Sequence, residues 1–279
     1  MNNILVTGAT GNVGKHVVSQ LAQAGIPVRA LVRDPSRARL PENVQVVAGD
    51  LTAPETLEPA LRDVDSVFLV WPGFAAETAE PVVEAVAKHA RRVVYLSADV
   101  PGAGDDDEPT IFHQRIERLI KRTGMTWTFL RPGGFAVNTL GWADQIREGV
   151  VRWPYGAASR SLIHEKDIAA VATHVLTSGG HAGAAYVITG PERLTQAEQV
   201  RVIGEAVGRE VRWEDMPPEE ARQVLTAAWG DPGFVESALR GWESFVTAPE
   251  KVTDTVERLL GRPALTFHEW ARDHAADFR

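Results

Sequence analysis

Three glycines spaced three apart, Gly8, Gly11 and Gly14, sit where a short apolar run gives way to a helical pattern. The segment reads Val6-Thr7-Gly8-Ala9-Thr10-Gly11-Asn12-Val13-Gly14 and follows Ile4 and Leu5. Gly8 permits a tight turn, Gly11 lets backbone approach an anion closely, and Gly14 lets the helix pack against the strand. The amides of the helix's first turn, at the positive end of its dipole, then face a phosphate. A glycine triplet alone is a weak signal. At a strand–helix junction it predicts a dinucleotide-binding βαβ unit, with Ala9, Thr10, Asn12 and Val13 in the same cradle.

Apolar runs at residues 4–7, 28–32, 44–47, 67–70 and 93–97 alternate with helical patterns at 13–24, 56–61 and 78–89. The runs are continuous rather than alternating, as parallel strands covered on both faces require. Gly25 and Pro27 stop the first helix. Helices at 111–122 and 167–176 and strands at 126–131 and 185–189 follow. This pattern predicts an α/β fold, a doubly wound parallel sheet of Rossmann type, over residues 1–190. Residues 191–279 read as mostly helical, with one strand at 210–213, and predict a smaller C-terminal lobe that closes the substrate pocket. Between residues 99 and 109 a loop carries Asp105-Asp106-Asp107-Glu108, either a solvated charge run or a lid.

The second strand ends Val32-Arg33-Asp34. Binders of NAD place an acid here for the ribose 2′-hydroxyl, whereas a guanidinium takes a 2′-phosphate through charge-assisted hydrogen bonds. One such contact contributes about 1.5–3 kcal/mol, roughly ten- to a hundredfold in affinity. Arg33, assisted by Arg37, therefore predicts NADP(H). The competing assignment leaves Arg33 as a surface residue and gives the ribose to Asp34. Gly49-Asp50-Leu51 closes the third strand beside the expected adenine edge, where Asp50 either lines that edge or caps the next turn.

Further segments complete a pattern: Arg29-Ala30-Leu31-Val32-Arg33-Asp34, Trp127-Thr128-Phe129-Leu130-Arg131-Pro132 with Phe135 and Asn138, Lys166-Asp167-Ile168-Ala169, and Tyr186-Val187-Ile188-Thr189-Gly190-Pro191. With these, the chain resembles, nearly end to end, the NmrA-like family of atypical short-chain dehydrogenases/reductases. The resemblance implies the fold and a nicotinamide cofactor. It also implies either an NADPH-dependent reductase of quinones and other small molecules, or a redox-sensing regulator that binds the nucleotide without turnover.

Ordinary short-chain reductases pair a Tyr with a Lys four residues later, beside a Ser on a neighbouring strand. None of Tyr95, Tyr155 and Tyr186 has that Lys. Ser97 stands where the Ser is expected, as a catalytic or a turn residue. His113 and Glu117, spaced i, i+4, share a helical face; His113 is the candidate proton donor with an ordinary pKa near 6.5. The alternative has His113 packing at the pocket wall while Glu117 pairs with Lys121. Reducing a quinone builds a phenolate, which needs a proton less than an alkoxide does, so the missing pair favours a quinone-like or conjugated aromatic acceptor.

Trp71, Ser97, His113, Pro132, Gly133, Gly134 and Phe135 are expected around the nicotinamide, with Trp71, Pro132 and Phe135 touching the cofactor. Trp142, Trp153 and Tyr155 would form the far wall of the substrate pocket, and Trp229, Phe234 and Trp242 its cover. The eight Trp residues read either as core or as such a pocket. His164-Glu165-Lys166-Asp167 lacks a second imidazole at helical spacing, so no metal is expected and Asp167 reads as a helix N-cap.

A net charge of −8 argues against nucleic acid, despite Arg29, Arg33, Arg37 and Arg39. With no Cys, disulfides and thiolate chemistry are excluded. No signal-like leader or bilayer-length apolar run appears, so no membrane partner and a cytoplasmic location are expected. A homo-oligomer is compatible with the sequence. The reading is an NADPH-dependent reductase that transfers hydride to a small aromatic molecule. Its rivals are an NADP(H)-sensing binding protein and a non-redox isomerase or cyclase.

Overall fold

Runs of valine, isoleucine and leucine form strands here because both sheet faces are covered by helices, leaving no solvent side to demand alternation. The computed structural model describes residues 3–73, 76–99 and 112–279. The chain runs through β1 (Ile4–Val6), α1 (Gly14–Gln23), β2 (Val28–Val32), β3 (Gln45–Ala48), α2 (Glu58–Leu61), β4 (Ser66–Val70), α3 (Ala79–His89) and β5 (Arg92–Leu96). Then come α4 (Phe112–Lys121), β6 (Thr126–Pro132), α5 (Ala143–Glu148), β7 (Val150–Trp153), β8 (Ser159–Arg160), α6 (Glu165–Thr177) and β9 (Ala184–Ile188). Last are β10 (Leu194–Thr195), α7 (Gln196–Val207), β11 (Arg212–Asp215), α8 (Pro218–Trp229), α9 (Pro232–Thr247), α10 (Thr255–Leu260) and α11 (Phe267–Asp273). Apart from Asp99, the 99–109 loop and its acidic run lie outside the described residues.

The chain divides into two compact units. The first comprises Met1–Pro132, Glu165–Ile188 and Thr255–Arg262; the second comprises Gly133–His164, Thr189–Asp254 and Pro263–Arg279. The second therefore draws on residues that precede position 190.

The first unit holds a parallel sheet in the order β3-β2-β1-β4-β5-β6-β9. This is the doubly wound Rossmann arrangement that the sequence predicts. β1 lies between β2 and β4, so the winding reverses at its carboxyl end, where such sheets open a crevice. Leu5, Leu31, Val67, Tyr95 and Phe129 pack with α2, α3 and α4 on one face. Alternate residues turn to the other face, where α1 and α6 pack on the strands and on each other. Gly25 ends α1 at φ +70, as its position in the sequence predicts.

Arg29 does not belong to a basic surface. It is buried in the first unit and donates to Gln45 Oε1 (2.9 Å), Ala60 O (2.7 Å) and Arg62 O (2.6 Å). Asp167 is not the cap of α6 either. The helix begins two residues earlier, and the buried Asp167 carboxylate accepts from Arg262 Nη2 at 2.7 Å.

In the second unit β7 pairs with β11 and β8 with β10. Trp142, Ile146, Val151, Val200, Ile203, Phe267 and Trp270 build its larger core. Ala221, Leu225, Val235 and Leu239 join α8 to α9. Capping boxes, Thr195 with Glu198 and Thr266 with Glu269, start α7 and α11.

One buried charge pair holds α4 to the sheet. Glu117, only 6% exposed at its side chain, accepts from Arg131 Nε (2.9 Å) and Nη2 (2.5 Å). Arg131→Met leaves that carboxylate buried and unpaired, and should destabilise the protein by about 3–5 kcal/mol. Adding Glu117→Leu should recover most of the loss, as urea unfolding will measure.

Candidate functional site

The glycine turn is built by three close approaches. Thr7 ties β1 to β4: its N–H donates to Phe68 O (3.0 Å), and its hydroxyl accepts from Val70 N (2.7 Å) and donates to Val70 O (3.0 Å). Gly8 adopts φ +58, and Gly11 N donates to Gly8 O at 2.9 Å to close the turn. A Cβ on Gly14 would lie 2.1 Å from that same oxygen, so only glycine lets α1 start there. Ala9 and Val13 are buried beneath the loop, while Thr10, Gly11 and Asn12 are exposed.

The N–H groups of Asn12, Val13 and Gly14 have no carbonyl partner among the described residues. Val13 stands at the N-cap with no side-chain acceptor, and no acid occupies the first turn. An uncapped helix end over a glycine turn fits the pyrophosphate of a dinucleotide.

After β2, Arg33 is exposed, with no hydrogen bond or ion pair among the described residues. Asp34 is occupied locally, accepting from Ser36 N (3.0 Å) and Ser36 Oγ (2.6 Å). Asp50 caps its own turn through Thr52 N (2.8 Å) and Thr52 Oγ1 (2.9 Å). Those bonds, with a smaller contribution from Arg33, hold its pKa below the usual carboxylate range. Leu51 is buried beside it, and its carbonyl accepts from Thr78 Oγ1.

At the ends of β4, β5 and β6, Trp71 is buried in the α2–α4 side of the core and Pro132 is buried at the tip of β6. Ser97 N donates to Leu130 O (2.7 Å) and Asp99 N to Pro132 O (2.9 Å), zipping the strand ends together. Ser97 Oγ is buried without a partner among the described residues.

His113 departs from its expected bonding. It does not pair with Glu117, and Glu117 does not pair with Lys121, because Arg131 takes the carboxylate in two-pronged fashion. Instead His113 Nδ1 meets the Tyr95 hydroxyl at 2.7 Å. Burial pushes the imidazole pKa down to about 4, not the ordinary 6.5, so the ring is neutral at pH 7. Burial, with Glu117's charge adding to it, raises the Tyr95 phenol well above its usual value. Tyr95 lacks the following Lys by which a site tyrosine is recognised in sequence. The available signal was Tyr95 two residues before Ser97, on the same face of one strand.

The remaining expected pocket residues belong to the second unit. Phe135 is fixed by its neighbours' backbone, Ala136 N to Ile163 O (2.9 Å) and Ile163 N to Gly134 O (2.8 Å). Trp142 lies edge-on to Trp153 (centroids 6.2 Å) and to Trp213 (5.9 Å). Trp153 also meets Trp242 (5.5 Å) and Trp229 (6.3 Å). Trp142 is buried, whereas Trp229 is 39% exposed. Tyr155 adopts φ +59 and lines a cavity of about 430 Å³ with Met216, Pro217, Pro218 and Val246. A left-handed non-glycine residue stores strain of about 1–3 kcal/mol and tends to mark a functional segment. Among the described residues no group of three or more metal-ligating side chains occurs, and no helix is long and apolar enough to cross a membrane.

Residues 8–179 match the model of a family described as NAD(P)H-binding. The chain is 39% identical over 284 residues, 99% of each protein, to a (4-alkanoyl-5-oxo-2,5-dihydrofuran-3-yl)methyl phosphate reductase of Streptomyces griseus. It is 39% identical over 285 residues, again 99% of each, to the NAD(P)H azoreductase of Xenophilus azovorans. An NmrA-like family domain-containing oxidoreductase of Aspergillus flavus is 27% identical over 292 residues, 92% of this chain and 90% of that one, in line with the expected resemblance. An Escherichia coli NADPH-dependent quinone oxidoreductase, solved with NADPH, shares the fold with a TM-score of 0.79. It is 22% identical and covers 97% of this chain and 99% of its own.

The neutral His113 gives a signed pH dependence. Its folded pKa lies below the ordinary 6.5, so its contribution to stability is complete above about pH 6.5 and is lost as pH falls toward 4. In calorimetry, His113→Gln should lose less Tm than the wild type between pH 6.5 and 4. Parallel profiles would contradict a neutral, desolvated imidazole.

Proposed function

The chain belongs to the NAD(P)H-binding family, and on that footing we propose that it is an NADPH-dependent oxidoreductase reducing a quinone-like or otherwise conjugated, aromatic small molecule. The observation that carries the choice of acceptor is the absence of a Tyr–Lys pair, with His113, bonded through Nδ1 to the Tyr95 hydroxyl at 2.7 Å and kept neutral by burial, as the candidate polar group instead. A neutral imidazole is a hydrogen-bond donor but a reluctant acid. It suits acceptors whose charge after reduction spreads over a conjugated system, and serves poorly where an alkoxide must be protonated at once. The two relatives at 39% identity support this reading: one is an azoreductase, and the other is named for a ring in conjugation with carbonyl groups.

In this assignment Gly8, Gly11 and Gly14 shape the pyrophosphate cradle, with the backbone of Ala9, Thr10, Asn12 and Val13 contributing to it. Arg33 grips the 2′-phosphate, for which Asp34 does not compete while it holds Ser36. Asp50 and Leu51 border the adenine side. Trp71, Pro132 and Phe135 flank the nicotinamide, which supplies the hydride when the cofactor is bound. Ser97 Oγ and His113 offer hydrogen bonds to the reacting oxygen or nitrogen, and Trp142, Trp153, Tyr155 and Trp229 provide flat apolar surface for the acceptor.

The test is NADPH oxidation with a panel of quinones, azo compounds and aromatic ketones. Turnover is expected with the first two classes. Saturable NADPH binding with no turnover on any acceptor would favour a nucleotide-sensing role and overturn this one. Arg33→Ala should raise KM for NADPH roughly ten- to a hundredfold while leaving that for NADH almost unchanged.

A further inference from the structure

Tyr95 lies on β5, fully buried, with its ring edge-on to Phe129 at 6.3 Å. Its hydroxyl has one partner among the described residues, His113 Nδ1 at 2.7 Å. Phe112 also lies against the imidazole, with centroids 4.0 Å apart and the rings tilted by 34°, so the ring has a polar and an apolar contact. Two proton arrangements satisfy the distance. If Nδ1 carried the proton and donated it to the phenol oxygen, the phenol's own proton would be buried with no acceptor among the described residues, at a cost of about 1–3 kcal/mol. If the phenol donates, both groups are satisfied. Burial also keeps the phenol protonated and the imidazole neutral, so neither escapes this choice by ionising.

We propose that Tyr95 is a positioning residue that donates its phenol proton to His113 Nδ1 and thereby fixes the imidazole as the tautomer carrying its proton on Nε2. The role rests on the reading above that His113 serves the acceptor. A neutral imidazole has one N–H, and which nitrogen bears it is set by the bond the other nitrogen makes. With Nδ1 occupied, Nε2–H is left as a donor, and it has no partner among the described residues. The nitrogen available to an acceptor atom can then only donate. It stabilises negative charge arriving there, and it cannot take a proton from the site, because Nε2 already carries one. Tyr95 thus acts on the acceptor only through His113, by orienting a hydrogen bond rather than by the proton transfer for which a Tyr–Lys pair serves.

The experiment is ¹⁵N NMR of His113 in the full-length protein, assigned by its loss in His113→Gln, together with steady-state kinetics of Tyr95→Phe. In the wild type Nε2 should show the protonated and Nδ1 the unprotonated signature; the reverse would overturn the proposal. Tyr95→Phe keeps the ring volume and should mix the two tautomers. It should lower kcat about tenfold, the effect of losing one hydrogen bond in the transition state, with KM for NADPH unchanged. The double variant with His113→Gln should be no slower than His113→Gln alone. If His113→Gln slows turnover and Tyr95→Phe does not, Tyr95 has no positioning role. If His113→Gln retains full kcat, the placement of His113 at the acceptor fails, and the nitrogen signatures alone then decide whether Tyr95 sets the tautomer. Should Tyr95→Phe fail to fold, the wild-type signatures remain decisive.

Discussion

The first unit is organised around the approach of one helix to one carbonyl oxygen. At Gly14 the start of α1 presses so close to Gly8 O that a single added carbon would sit 2.1 Å from it. This contact sets the direction in which α1 leaves β1, and hence how it lies on the sheet beside α6. α7 and α11 start with complete capping boxes, each worth about 0.5–2 kcal/mol to a helix. α1 has no such cap. α2, α3, α5 and α8 also start without a side-chain cap; what distinguishes α1 is that its bare end rises directly from the glycine turn.

A second theme is how sparingly polar groups enter the interior near the strand ends. The Glu117–Arg131 pair satisfies a buried carboxylate and secures α4 to β6, while the bond from Tyr95 to His113 secures the same helix to β5. Both lie on the α2–α4 side of the sheet, where low dielectric raises the penalty for any unpaired group. Against that background the Ser97 hydroxyl, buried and without a partner among the described residues, is conspicuous, since buried polar atoms in native proteins are nearly always satisfied.

The architecture of the first unit was legible in the sequence because it depends on local signals: continuous apolar runs, the Gly8-Gly11-Gly14 spacing, and Gly25 after the first helix. Site chemistry was legible only where it is carried by backbone. Side-chain partners were not. Glu117 stands four residues from both His113 and Lys121, yet it turns to Arg131 across the helix–sheet interface, a pairing that helical spacing cannot register. The start of α6 was misplaced for a similar reason: Asp167 resembles a cap in sequence but is drawn to Arg262, 95 positions away. The tryptophans resisted a single assignment because composition does not fix burial: Trp71, Trp142 and Trp270 are buried, whereas Trp229 is exposed.

The division of the chain into interleaved units has a consequence for its synthesis. β9 is the last strand of the sheet, and α10, built from residues 255–260, packs on it and on α6. A ribosome must therefore translate the intervening segment Thr189–Asp254, which belongs to the other unit, before this helix can dock on β9 and α6. Until then those two elements wait, exposed, for a partner that is distant along the chain.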